Sequence, residues 1–110
     1  MPEHFEAHVP PELADLVPEF VRNRKSQLQG LRRAAREHDF DRVREYANSM
    51  IGVGRPYGFP EISSLGKRID TSARDGDGTS VVYLVELYAE YLANVRINMP
   101  DGADFAEATQ

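Results

Sequence analysis

Imidazole rings and grouped carboxylates are the side chains here that could carry acid–base chemistry or hold a metal, and the chain uses both sparingly. His4 and His8 lie in the N-terminal stretch, and His38 stands beside Asp39 in a short connection, where a solvated ring is the ordinary reading. No histidine falls into a Ser/His/Asp or metal-like set, so no catalytic residue is assigned and an enzyme is not expected. Asp75, Asp77 and Glu86 occupy positions one, three and twelve of a calcium-loop spacing. Position six, however, is Ser80 where the sharp turn requires glycine, and position five is Thr79 in place of Asp or Asn. That segment reads as a capped turn, and no metal or cofactor is expected. Cysteine is absent, which excludes a disulfide framework and any Cys-based metal centre.

The stretch with the most pattern is 41–66, DRVREYANSMIGVGRPYGFPEISSLG. Phe40, Val43, Tyr46 with Ala47, Met50 and Gly54 recur at steps of three and four, the spacing of one buried helical stripe. Arg44, Asn48, Gly52 and Arg55 form a second row that points largely to solvent, with Ile51 beside it. Asn48 is therefore presented on the helix surface. Its amide nitrogen has its lone pair delocalised into the carbonyl, so it cannot act as a nucleophile as an imidazole nitrogen can.

Ala47-Asn48-Ser49-Met50-Ile51-Gly52, followed by Gly54, Tyr57-Gly58-Phe59 and the apolar spacing Ile62, Leu65 and Ile69, resembles the histidine-containing phosphotransfer (Hpt) domain of two-component signalling. That family reads Gly/Ala-His-x-Met/Leu-Lys-Gly at this point. The likeness extends through Val17-Pro18-Glu19-Phe20, Asn23-Arg24, Leu31, the Asp39-Phe40 junction and Leu87 to Val95, roughly residues 13 to 97. Asn48 stands where the family has its phosphoaccepting His, and Ile51 where it has Lys. The resemblance thus implies a degenerate member without phosphotransfer at this position. It also implies that a receiver domain, of a response regulator or a hybrid histidine kinase, docks over Arg44, Asn48, Ile51, Gly52 and Arg55.

The 110 residues suffice for one core, and their Ala-, Leu-, Arg- and Glu-rich periodic stretches favour helix. The periodicity predicts a short helix at 11–17, a longer one at 18–37 separated from it by Pro18, then helices at 40–54 and 60–73, and a last one capped by Thr79 or Ser80 and running through Val95. Short links between amphipathic helices imply an all-α antiparallel four-helix bundle with a short extra N-terminal helix. Residues 1–10 read as a flexible lead-in, 11–97 as the bundle, and 98–110, with Pro100, Gly102 and several acids, as a disordered acidic tail.

The net charge of −5 argues against nucleic acid, although Arg22, Arg24, Lys25, Arg32, Arg33 and Arg36 make the first long helix basic. No run is long and apolar enough to span a bilayer and the N-terminus lacks an apolar signal core, so the expected place is the cytoplasm, with no membrane or small-molecule partner. The function expected is docking without catalysis, as a decoy or scaffold in a phosphorelay. Two alternatives stand beside it: a bundle turned to other partners or to self-association through Tyr83, Leu87 and Ile51, and a phosphorelay intermediate using another site.

Overall fold

The computed structural model describes residues 6–98. Four helices form the molecule: α1 Val17–Arg36, α2 Phe40–Gly54, α3 Pro60–Arg74 and α4 Gly78–Asn94. They pack as a bundle in which α2 lies on α3, α3 on α4, and α4 on α1. Connections of three to five residues leave consecutive helices no room to run in the same direction, so each reverses on the last. No helix among the described residues is long and apolar enough to cross a membrane.

Each stripe finds its place in the core. Val17, Phe20, Val21, Leu31, Ala34 and Ala35 of α1 meet Val81, Leu84, Val85, Tyr88, Tyr91 and Leu92 of α4, with Val43, Ala47 and Met50 of α2 and Ile62, Leu65 and Ile69 of α3 completing the interior. The short extra helix is a 3-10 turn, Pro11–Leu16, which runs directly into α1 because Pro18 sits in the first turn, where its missing N–H has no helical acceptor to lose.

Two loops at one end share a design. After α1, the Asp39 N–H donates to the Ala34 carbonyl and the His38 N–H to Ala35, with His38 in the left-handed region at φ 57°. After α3, Asp77 and Gly76 donate to Ser72 and Ala73, with Gly76 at φ 70°. Both satisfy the orphan carbonyls of a helix end in the same way. Asp39 then caps α2 by accepting from the Arg42 N–H at 3.3 Å, and Asp77 caps α4 by accepting from the Ser80 N–H at 3.1 Å. The expected cap at Thr79 or Ser80 is thus displaced to Asp77: α4 begins two or three residues earlier than the apolar period suggests. The Ser80 hydroxyl, donating to the same carboxylate, holds Asp77 below the usual carboxylate range.

The N-terminal lead-in is corrected over residues 6–10. Glu6–His8 form strand β1, parallel to β2, Arg96–Asn98, with Ala7 opposite Ile97. Ala7 and Val9 are buried. Their alternation with His8 spans too few residues to register as a strand, and the other half of the pair lies at the far end of the chain. Asn98, placed in the tail by sequence, is the last residue of β2; residues 1–5 and 99–110 lie outside the described residues. β1 crosses the α2–α3 loop so closely that a methyl group at Gly58, itself at φ 91°, would fall 2.3 Å from the His8 carbonyl oxygen. Beneath it, Tyr57 stacks on Phe20 at 4.4 Å between ring centroids, and Phe59 tilts against the same ring at 5.2 Å.

The α2–α3 contact is the tightest in the bundle. A methyl group at Gly54 would meet the Ser63 backbone nitrogen at 2.5 Å and the Phe59 carbonyl oxygen at 2.7 Å; one at Gly66 would meet the Ala47 carbonyl oxygen at 2.8 Å. Gly54 is therefore a point of backbone contact between α2 and the start of α3. Gly52, two residues earlier, has nothing within 4 Å of such a methyl group. Alanine at these two glycines has opposite consequences. Gly54→Ala destabilises by about 1–3 kcal/mol because backbone must move, whereas Gly52→Ala stabilises by about 0.5–1 kcal/mol through helix propensity alone. Urea unfolding of the two variants beside wild type reads both signs.

Candidate functional site

The face of α2 that carries Asn48 is built on that contact. Asn48 is exposed, and its Nδ2 donates to the Arg44 carbonyl oxygen at 2.8 Å, one helical turn back. The amide is held along the helix instead of extending into solvent, so the surface above it is low. Gly52 continues the same exposed row with no side chain. Asn48 and Gly52 together make a flat strip of about one helical turn in length.

The other three residues assigned to this face behave differently from one another. Ile51 is half-buried and turned toward α3, where its Cγ1 would lie 3.1 Å from a methyl group at Gly66. It forms the edge of the α2–α3 seam, presenting part of its surface. Arg55 is exposed; its backbone N–H donates to the Ser63 hydroxyl at 2.9 Å, and that hydroxyl donates to the Ile51 carbonyl oxygen at 3.0 Å. One buried serine of α3 thereby satisfies two backbone groups at the end of α2.

Arg44 is half-buried, and its guanidinium is committed. Its Nε donates to Oδ1 of Asp70 at 2.9 Å, while Nη2 of Arg74 donates to Oδ2 at 2.6 Å. Asp70 is only 5% exposed. The hydrogen bond from Arg44, with Arg74 adding to it and desolvation opposing, holds the Asp70 carboxyl below the usual range. Arg44 is therefore not a free cation flanking Asn48: its charge is matched within the fold, and Arg55 is the exposed arginine of that row.

Sequence reading did not single out Asp70, Ser63 or Arg24 as interior groups. Each lies in phase with a buried stripe: Ser63 and Asp70 with Ile62, Gly66 and Ile69, and Arg24 with Phe20, Val21 and Leu31. A polar residue in the phase of an apolar stripe is the signal that could have found all three.

The basic character of α1 is likewise reduced in the fold. Arg24 is buried, and Arg32 forks onto Glu86 of α4, with Nε 2.9 Å from Oε2. That hydrogen bond holds the Glu86 carboxyl below its usual range. Arg22, Lys25, Arg33 and Arg36 remain exposed. Among the described residues no group of three His, Cys, Asp or Glu side chains is placed to hold a metal ion. Exposed Tyr83 of α4, at 60%, stands over a groove with Lys67, Arg68 and Thr71 of α3, while Leu87 is half-buried against the core.

The fold and this geometry define a helical bundle with a low, partly apolar face on α2. Comparison with family models, with curated proteins and with solved structures gives no match.

The Asp70 cluster makes a titration prediction. Because the folded-state pKa is lowered, its stabilisation is complete above the ordinary carboxylate value of about 3.9 and is lost as pH falls through the lower folded value. Asp70→Asn is less stable than wild type by about 1–3 kcal/mol at neutral pH, since it leaves two arginines facing a neutral amide. Urea midpoints measured from neutral pH into acid then converge only below the usual carboxylate range.

Proposed function

We propose that the protein is a degenerate Hpt-like module that docks onto a receiver domain, of a response regulator or a hybrid histidine kinase, without carrying phosphate. The observation that bears most weight is the combination on α2 of an amide at Asn48 with an unobstructed Gly52. A phosphotransfer site needs a nucleophilic ring nitrogen and a cation near the incoming phosphoryl group. Asn48 supplies no such nitrogen, and Ile51 has an aliphatic chain where the resembled family has a lysine. What remains is the part that suits contact: a low helix surface bordered by Ile51 and by Arg55.

The chemistry of that surface supports a protein partner. Ile51 offers partial apolar area, Gly52 lets another backbone approach, and Arg55 offers an exposed cation to an acidic rim. No enzymatic step is assigned to the chain. Its effect would be that of a decoy or scaffold, occupying a surface that a competent phosphotransfer domain would otherwise use.

Gly52→Arg tests docking with little risk to the fold, because nothing lies near the position. Against a panel of purified receiver domains, wild type binds at least one and Gly52→Arg loses it by tenfold or more, about 1.4 kcal/mol; binding indifferent to Gly52, or none across the panel, removes this reading. On the bound receiver, phosphoryl transfer is undetectable for wild type, slight for Asn48→His, and greater for Asn48→His with Ile51→Lys. Radiolabel accepted by the wild-type chain would instead favour a phosphorelay intermediate.

A further inference from the structure

Arg24 is the most anomalous group in the interior. It is 8% exposed, and its Nε has no hydrogen-bond acceptor among the described residues. Nη1 reaches the Ser49 hydroxyl only at 3.4 Å, beyond the usual N–H···O range. Around it lie the face of Phe20, 5.7 Å from the guanidinium carbon to the ring centroid, the phenol of Tyr88, which accepts a hydrogen bond from the guanidinium, and the side chains of Gln27 and Tyr46. All of these are neutral. The ion pairs of the described residues join Arg32 to Glu86, Arg42 to Glu45, and Arg44 and Arg74 to Asp70, and none reaches Arg24. A buried guanidinium without a carboxylate is costly, since neutral acceptors and ring faces do not fully replace the hydration that burial removes.

Ser49 connects this charge to the surface. Its side chain helps line an open groove of about 370 Å³ between α1 and α2, together with Gln27, Arg42, Glu45 and Tyr46. The void directly around Arg24 is only about 10 Å³, so a ligand cannot sit inside the core. It can sit at the groove floor, where Ser49 offers a hydroxyl and Nη1 lies just behind it. Tyr46 forms one wall and is fixed there: a methyl group at Gly30 would fall 2.1 Å from its hydroxyl oxygen, so α1 carries glycine where the ring crosses.

We propose that this groove is a seat for a small oxyanion, a carboxylate or a phosphate presented by another molecule, with Arg24 as its buried counter-charge and Ser49 as the donor at its floor. Arg42 on the wall adds a second cation, offset by Glu45 at 3.8 Å. The oxyanion completes the ionic pairing that the fold leaves unmade. The seat lies on the α1 side of α2, about 100° around the helix from Asn48, and does not depend on the receiver-docking reading.

The test follows the side-chain Nε–H resonance of Arg24 in ¹⁵N-labelled full-length protein, titrated with inorganic phosphate, with acetate and with chloride at matched ionic strength. The expected result is a saturable movement with an oxyanion and none with chloride. Movement with phosphate and acetate alike assigns the seat to oxyanions in general, and movement with phosphate alone assigns it to phosphorylated groups. Ser49→Leu, which fills the floor and keeps Arg24, abolishes the movement. Glu45→Gln, which removes the opposing charge, tightens the apparent affinity about two- to fivefold, the size of a surface charge contact. Arg24→Met melts no lower than wild type in chloride and gains nothing from phosphate. A resonance that follows ionic strength alone, identically in all three salts, overturns the proposal and makes Arg24 a purely structural residue; this readout needs only the wild-type chain.

Discussion

The approach of α2 to α3 is the constraint on which the rest of the structure depends. Ala47 and Gly54 on one helix meet Ser63 and Gly66 on the other with no room for a further methyl group at either glycine. Backbones this close bring a serine hydroxyl within reach of the Ile51 carbonyl and the Arg55 N–H, and bring Arg44 of one helix onto Asp70 of the other. The shape of the exposed α2 face follows. With Arg44 drawn aside to Asp70 and the Asn48 amide folded back on the Arg44 carbonyl, the face around Asn48 and Gly52 is low because of bonds made beneath and along the helix.

The two buried charges among the described residues, Asp70 and Arg24, are treated in contrasting ways. Asp70 is held by two arginines that keep their outer surfaces in water, an arrangement in which Coulomb attraction and hydrogen bonding outweigh desolvation. Arg24 is surrounded by a hydroxyl, a phenol and an aromatic face, none of which carries charge. The same low dielectric pushes the Tyr88 phenol up to about 12, even though Arg24's charge works in the opposite direction. Burial thus dominates at that point of the core. A fold that satisfies one internal charge so thoroughly and another so poorly directs attention to the second.

Much of the architecture was legible from periodicity. The stripe from Phe40 to Gly54 and the one from Ile62 to Ile69 each led to a helix whose ends fall within a residue of expectation, because Pro60, Gly54 and Asp39 punctuate the chain chemically. The exposed row of Asn48, Gly52 and Arg55 was legible for the same reason. Arg44 was not, since its row is compatible with solvent until Asp70 is known to lie opposite. Arg24 and Asp70 escaped because a charged residue is read as surface, although both keep the phase of a buried stripe. The strand pair escaped because each member has only three residues and meets its mate across the whole length of the chain.

What the sequence determined by itself was therefore local: four amphipathic helices, the loops that reverse them, the absence of cysteine chemistry, and an amide at the position where the resembled family has its imidazole. These follow from propensity, period and functional-group chemistry, which need no knowledge of what lies across the core. Only the tertiary structure decided which charges are free. Arg44, Arg32 and Arg24 look alike in the chain, and they become respectively a ligand of Asp70, a fork on Glu86 and an unpaired interior cation. The physical reason is that burial and pairing are set by the neighbour across the helix interface, and those neighbours lie 26, 54 and 25 residues away along the chain, Ser49 being the one that Arg24 reaches.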